Sequence, residues 1–178
     1  MSQEPRIAPP SGPGPRYGTD LDRAITGFER AVVRLHEVDP VTTEIVRLRC
    51  ARYHDCRRCS SVRLDAAMEQ GFDETVGDKI DAWETSDLEP RHKAALALTD
   101  AIIMEPGAIA PAVREEARRH FTDAQVAELC LDVMKWSVQK VLVALRIEPP
   151  PADGLTRLSF DERGRFRLGG PVEPAGAR

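Results

Sequence analysis

The sequence predicts an all-α protein, and three observations support this fold class. Apolar residues recur at steps of three and four over about 20–147, which is the period of an amphipathic helix. Capping side chains or prolines stand where these periodic segments begin, as at Asp39-Pro40. The 178-residue chain is 42% hydrophobic, which suits one compact domain with its own core.

The helices can be placed in chain order from these signals. They are expected over about 20–35, 40–54, 55–71, 73–83, 86–105, 111–120 and 122–147. Asp55 is expected to cap the third helix, and Thr122 to begin the last. Ser86 and Glu89 have the spacing of a capping box before the fifth. No strand is expected in this part of the chain.

The two ends of the chain differ in composition from the helical part. Residues 1–18 hold five prolines and three glycines, which predicts a flexible, disordered tail. Residues 149–178 form a C-terminal extension, in which two alternating apolar segments flank Asp161-Glu162-Arg163-Gly164 and predict a small β-hairpin. The predicted organisation is therefore a tail over 1–18, a helical domain over 19–148 and the extension.

Charge and composition narrow the classes of function. The formal net charge of −4 gives no general reason to expect nucleic-acid binding. No apolar run reaches the roughly 20 residues that a membrane helix needs. The N-terminal residues contain no apolar segment typical of a secretory signal, so we expect a cytoplasmic protein whose four cysteines stay reduced.

Cys56 and Cys59 form the most informative motif, a Cys-x-x-Cys pair. If Asp55 caps the following helix, Cys56 lies at its first position, where the macrodipole favours a thiolate. Arg58 and Arg63 add positive charge nearby. A thiol oxidised to sulfenic acid then has a partner in reach to form a disulfide, which is the chemistry of a thiol peroxidase or a thiol–disulfide exchanger.

Glu44 lies twelve residues before Cys56 and is a candidate proton relay. It can approach the thiols only if the chain folds back near His54, and a carboxylate buried there could act as a general base or acid. The spacing alone favours the other interpretation, an exposed glutamate in the first turn of a helix.

These residues resemble a known family. A glutamate, a Cys-x-x-Cys pair twelve residues later and a long apolar final helix resemble the alkylhydroperoxidase-like, carboxymuconolactone decarboxylase family over about 28–147. The resemblance implies the alkylhydroperoxidase-like helical fold, a homo-oligomer, often a trimer or hexamer, and no cofactor. Its peroxidase branch implies a small hydroperoxide substrate and a dithiol or lipoyl-bearing protein that reduces the disulfide.

The resemblance also implies a role for each matched residue. Glu44 matches the relay glutamate, Cys56 the resolving cysteine and Cys59 the peroxidatic cysteine. The position of Cys56 at the expected helix end favours that thiol as the nucleophile instead, so the sequence leaves both assignments open.

The chain departs from the family pattern at two histidines, which are replaced by Arg58 and Arg63. Arginine stabilises a thiolate but cannot shuttle protons near neutral pH. His54 is the nearby imidazole that could take over this task. The two arginines are predicted to bind an anionic group of the substrate.

Other interpretations remain open at this stage. A zinc site could use the two thiols and His54, but the sequence offers no clear fourth ligand. The arginine-rich segment could contact nucleic acid. The chain could also be a non-redox relative, either a lactone decarboxylase-like enzyme or a binding and assembly protein with an idle cysteine pair.

Overall fold

The computed structural model describes residues 20–145 and 148–173, so the predicted N-terminal tail lies outside the described residues. Within them, the all-α class is confirmed, with one small three-stranded sheet. The elements in chain order are α1 (Asp20–Val32), α2 (Pro40–Tyr53), α3 (Arg57–Ser60), β1 (Val62–Leu64), α4 (Asp65–Glu69), α5 (Glu74–Gly77), a 3₁₀ turn (Trp83–Thr85), α6 (Pro90–Met104), α7 (Pro111–His120), α8 (Asp123–Ser137), α9 (Lys140–Leu145), β2 (Thr156–Phe160) and β3 (Phe166–Pro171).

Local capping signals place the starts of two long helices. The Thr42 backbone N–H donates to the Asp39 carboxylate at 2.8 Å, which begins α2 as predicted. Thr122 and Gln125 form a reciprocal capping box at the start of α8. The box predicted before α6 is wrong, because Glu89 makes no side-chain capping bond and α6 begins with the proline that follows it.

The predicted helix over 55–71 is wrong in a way that affects the site. Cys56, rather than Asp55, caps the short α3, and Asp55 has the left-handed φ of 55° that turns the chain out of α2. Val62–Leu64 is then a fully buried strand that pairs in parallel with β2. Pairing with this distant strand overrides the helical spacing of the apolar residues.

Two other predicted helices are interrupted. The segment over 73–83 contains α5 and is followed by the 3₁₀ turn instead of forming one helix. The helix predicted over 122–147 ends at Ser137, and α9 begins only at Lys140.

Helix α2 lies at the centre of the fold, between two hydrophobic clusters. One side packs on α6 and α8, and its Val46 and Cys50 belong to a cluster that also includes Ala117 of α7. The other side contributes Ile45 and Leu48 to a cluster with β1, α4 and β2. Phe160 of β2 packs against both clusters. Burial on two sides explains why α2 lacks the single apolar face typical of a surface helix.

The predicted C-terminal hairpin is confirmed. Strands β2 and β3 are antiparallel, with Leu158 opposite Leu168 and Phe160 opposite Phe166. Strand β2 is central in the sheet and pairs with β1. The C-terminal extension is therefore attached to the chain segment that directly follows Cys56 and Cys59. None of the helices described for 20–145 has the length and apolar character that crossing a membrane requires.

Candidate active site

The two thiols of the Cys-x-x-Cys motif lie in one turn after the end of α2, residues 56–59, which we call the dithiol turn. Cys56 is 2% exposed, and its sulfur accepts a hydrogen bond from the backbone N–H of Cys59 at 3.3 Å. Cys59 is partly buried. Both cysteines are free thiols. The turn therefore brings the two sulfurs together in the reduced state.

The surroundings of the two thiols make them chemically different. The pKa of Cys59 is lowered to about 7, and the largest cause is the hydrogen bond from the Cys56 thiol. The cations of Arg47, Lys135 and Arg58 also lower this pKa, whereas burial of the Cys59 thiol raises it. The pKa of Cys56 is raised, because its thiol donates to Cys59 and is buried. The lowered pKa of Cys59 favours this residue as the thiolate and Cys56 as its hydrogen-bond donor, although the backbone N–H that Cys59 donates to the Cys56 sulfur acts in the opposite direction on Cys56. The sequence argument for Cys56 relied on a helix dipole, but α3 has only four residues.

Arg47 links the predicted relay residue to the dithiol turn, a role that we did not predict. Glu44 is fully buried, and both of its oxygens accept from Arg47, at 2.6 and 2.7 Å. The same guanidinium donates to the backbone oxygens of Cys59 at 2.7 Å and Val62 at 2.6 Å. The interpretation of Glu44 as an exposed first-turn residue is therefore wrong. The three-residue spacing of Glu44 and Arg47 was the available sequence signal.

The two arginines that replace the family's histidines have different positions. Arg58 is exposed, its Nε donates to the Pro149 oxygen at 3.2 Å, and its charge acts on the Cys59 thiol. Arg63 is 4% exposed, and its fork donates to both oxygens of Glu74 and to the backbone oxygens of Ser60 and Val62. Arg58 remains available to a ligand, whereas the Arg63 guanidinium is used to hold the turn.

His54 is at the C-terminal cap of α2, one residue before the left-handed turn. Its ring makes an edge contact with Tyr53, and its Nε2 is buried with no hydrogen-bond partner among the described residues. Burial, together with the charge of Lys140, lowers the pKa of His54, so the imidazole is neutral at physiological pH. No contact described for 20–145 and 148–173 joins this ring to either sulfur.

Two further ionisable groups near the thiols were not predicted. Lys135 of α8 is 6% exposed, and burial lowers its pKa to about 7. Glu148 is buried, and one of its oxygens accepts from the Arg57 Nε at 3.0 Å. The charge of Glu148 is one of the causes that raise the pKa of Cys56. An apolar helix and a Pro-flanked segment gave no sequence signal that either residue approaches the dithiol turn.

The described residues contain no cluster of three or more His, Cys, Asp or Glu side chains arranged to hold a metal ion. The zinc interpretation therefore receives no support from the described part of the chain, and the thiol pair is best considered by its own chemistry.

Comparisons with known proteins give relatives and a fold. No family model matches the chain. Two uncharacterized proteins of Mycobacterium tuberculosis, from strains CDC 1551 and H37Rv, are each 42% identical over 155 residues, which cover 86% of this chain. These residues are 52% of each relative, so the chain spans about half the length of the curated relatives it matches.

Two solved structures resemble the chain at low sequence identity. A protein of unknown function from Agrobacterium tumefaciens, described as a candidate antioxidant defence protein AhpD, is 17% identical with a TM-score of 0.61, over 75% of this chain and 92% of that one. An uncharacterized peroxidase-related protein from Ralstonia eutropha, with an alkylhydroperoxidase AhpD core, is 16% identical with a TM-score of 0.63, over 74% and 72%. The chain therefore has the helical fold of AhpD-like proteins.

Proposed function

We propose that this protein is a thiol peroxidase in which Cys59 attacks a small hydroperoxide and Cys56 resolves the product as a disulfide. The observation that carries the proposal is the unequal pair of thiols, in which Cys56 stabilises a Cys59 thiolate at about neutral pH. The description of one structural neighbour as a peroxidase-related protein supports the same chemistry.

The proposed reaction has two steps at the protein. The Cys59 thiolate attacks the terminal oxygen of the hydroperoxide, so that an S–O bond forms and the O–O bond breaks. The leaving alkoxide takes one proton and departs as an alcohol, and Cys59 becomes a sulfenic acid. The Cys56 sulfur then attacks the Cys59 sulfur, and the displaced hydroxide leaves as water with the proton of the Cys56 thiol. An external dithiol or a lipoyl-bearing protein returns two electrons to the disulfide.

A second candidate function comes from the state of Glu44. Its two oxygens are both bonded to Arg47, so neither is free to move a proton to the thiols. This arrangement favours a non-redox role, as a lactone decarboxylase-like enzyme or a binding and assembly protein, in which Cys56 and Cys59 are an idle cysteine pair.

Stopped-flow mixing of reduced protein with an organic hydroperoxide tests the proposal, with free thiols counted before and after. We expect rapid loss of two thiols per chain, because Cys56 and Cys59 form a disulfide. Cys56→Ser should retain a dimedone-reactive sulfenic acid on Cys59, and Cys59→Ser should not react. Cys130→Ser is the control, since this partly buried thiol of α8 has a raised pKa and should not contribute. Thiols that react no faster than free cysteine would favour the non-redox role.

A further inference from the structure

Lys135 is a buried cation of α8 that lies against aromatic rings. Its Nζ lies 2.9 Å from the centroid of the Trp136 ring and 5.5 Å from that of Phe160. Among the described residues no carboxylate comes within ion-pair distance of the Lys135 ammonium. Contact with aromatic faces offsets part of the cost of burying a charge. A buried lysine that forms no ion pair among the described residues is uncommon, which suggests that Lys135 has a function.

The Lys135 ammonium acts electrostatically on the dithiol turn. Arg47 connects the two, because its guanidinium lies 5.8 Å from the centroid of the same Trp136 ring and donates to the Cys59 backbone oxygen. The charge of Lys135 acts on the Cys59 thiol, and the reverse interaction is also present. Lys135 and Arg47 therefore form a cationic cluster near the Cys59 sulfur.

The charged groups around Lys135 come from four elements. Glu29 of α1, the Cys59 thiolate of α3 and Asp132 of its own helix favour the ammonium, whereas Arg47 of α2 opposes it. Desolvation is the largest effect, and with the others it lowers the pKa of Lys135 to about 7. An amine with this pKa exchanges protons near neutral pH, which neither arginine beside the thiols can do.

We propose that Lys135 is the proton donor of the peroxidase reaction, taking the place of the histidines that the arginines replace. This inference rests on the proposed function. As the Cys59 thiolate breaks the O–O bond, the Lys135 ammonium gives its proton to the leaving alkoxide, which departs as an alcohol. The neutral amine then regains a proton from solvent before the next turnover.

Two oxidants with different leaving groups separate proton donation from a structural role. An alkyl hydroperoxide releases an alkoxide, which needs a proton, whereas a peroxycarboxylic acid releases a carboxylate, which does not. Lys135→Arg keeps the positive charge but removes the transferable proton. We expect this variant to react with the alkyl hydroperoxide about 100-fold or more slowly, in the range of general acid catalysis. With the peroxycarboxylic acid its rate should stay close to that of the wild type, because arginine keeps the positive charge that favours the Cys59 thiolate.

A second variant and a second measurement keep the test informative if arginine does not fit the buried site. Lys135→Met has a similar length and no charge, so it should also slow the alkyl hydroperoxide reaction. It should in addition move the midpoint of Cys59 thiolate absorbance at 240 nm upward from about 7. Lys93→Met is the control and should behave as the wild type, because Lys93 lies on α6 and its Nζ donates to the backbone oxygen of Glu84 at 3.2 Å.

The outcomes distinguish this inference from the proposed function. Equal slowing of either variant with both oxidants, or unchanged rates with the alkyl hydroperoxide, would overturn the role of Lys135 as proton donor while leaving the peroxidase proposal in place. A wild-type protein that reacts with neither oxidant would remove the proposed function, and the proton-donor role with it.

Discussion

At the scale of single residues, Arg47 is the most consequential side chain of the site. It neutralises the buried Glu44, holds two backbone oxygens of the dithiol segment and adds positive charge near Cys59. Burial opposes its charge, yet the contact with Glu44 raises its pKa. The pair is thus a neutral unit whose two members depend on each other.

We predict that Arg47→Met lowers the free energy of unfolding by roughly 3–5 kcal/mol, because it leaves the Glu44 charge buried without a partner. The double variant Glu44→Gln, Arg47→Met should lose less than the single one, since no charge then remains uncompensated. Urea unfolding of both variants measures the difference. Arg165→Met is the control, because the Arg165 side chain of its ion pair with Asp161 is 52% exposed, so its loss should change the free energy of unfolding much less than the loss of Arg47 does. A double variant that is less stable than Arg47→Met would contradict this account.

At the scale of elements, the C-terminal hairpin is fixed to the helical domain at both of its ends. Strand β2 pairs with β1, and the turn between β2 and β3 packs on α1 at Gly164. Gly164 has a φ of 69°, and a Cβ there would lie 2.3 Å from the Arg30 backbone oxygen. Only glycine fits this contact without moving the hairpin or the helix.

Gly164→Ala should therefore destabilise the protein by about 1–3 kcal/mol, through the strained φ and the collision with the α1 backbone. Gly170→Ala in β3 is the matched control, because no atom lies within 4 Å of its added Cβ. Guanidinium unfolding of the two variants makes the comparison. Equal stability of both variants would show that the turn does not need its contact with α1.

At the scale of the whole molecule, both hydrophobic clusters depend on α2. Trp136 belongs to the first cluster, which contains Val46 and Cys50 of α2. Trp83 packs against the second cluster, which contains Ile45 and Leu48 of α2. Because the two clusters share one helix, we expect them to unfold together. The exposed apolar side chains of Leu21, Phe166 and Leu168 are consistent with the expected homo-oligomer, which stays a prediction.

We predict a single cooperative unfolding transition for the described core. In Trp136→Phe the remaining fluorescence reports the second cluster, and in Trp83→Phe it reports the first. Within each variant, the fluorescence and far-UV circular dichroism midpoints should coincide during denaturation. A fluorescence midpoint well below the circular dichroism midpoint in one variant would mean that its cluster unfolds separately.

The parts of the fold that the sequence predicts depend on local signals. Asp39, the Thr122 capping box and the Asp161–Gly164 turn act within a few residues, and each begins or ends an element where we expected. Strand β1 could not be found in this way, because its partner is a distant strand and three buried residues show no alternation. Lys135 could not be predicted as a site residue for the same reason, because only the packing of α8 against α2 places it near the thiols.

The contacts of the dithiol turn with the C-terminal extension also govern how the site forms during protein synthesis. Arg57 and Arg58 bind Glu148 and Pro149, and each pair is separated by 91 residues along the chain. At ribosomal rates of about 5–20 residues per second, those partners emerge roughly 5–20 s after the cysteines. Throughout that interval the dithiol turn lacks its contacts with these two residues. We therefore expect oxidants to reach the motif most easily on the translating ribosome.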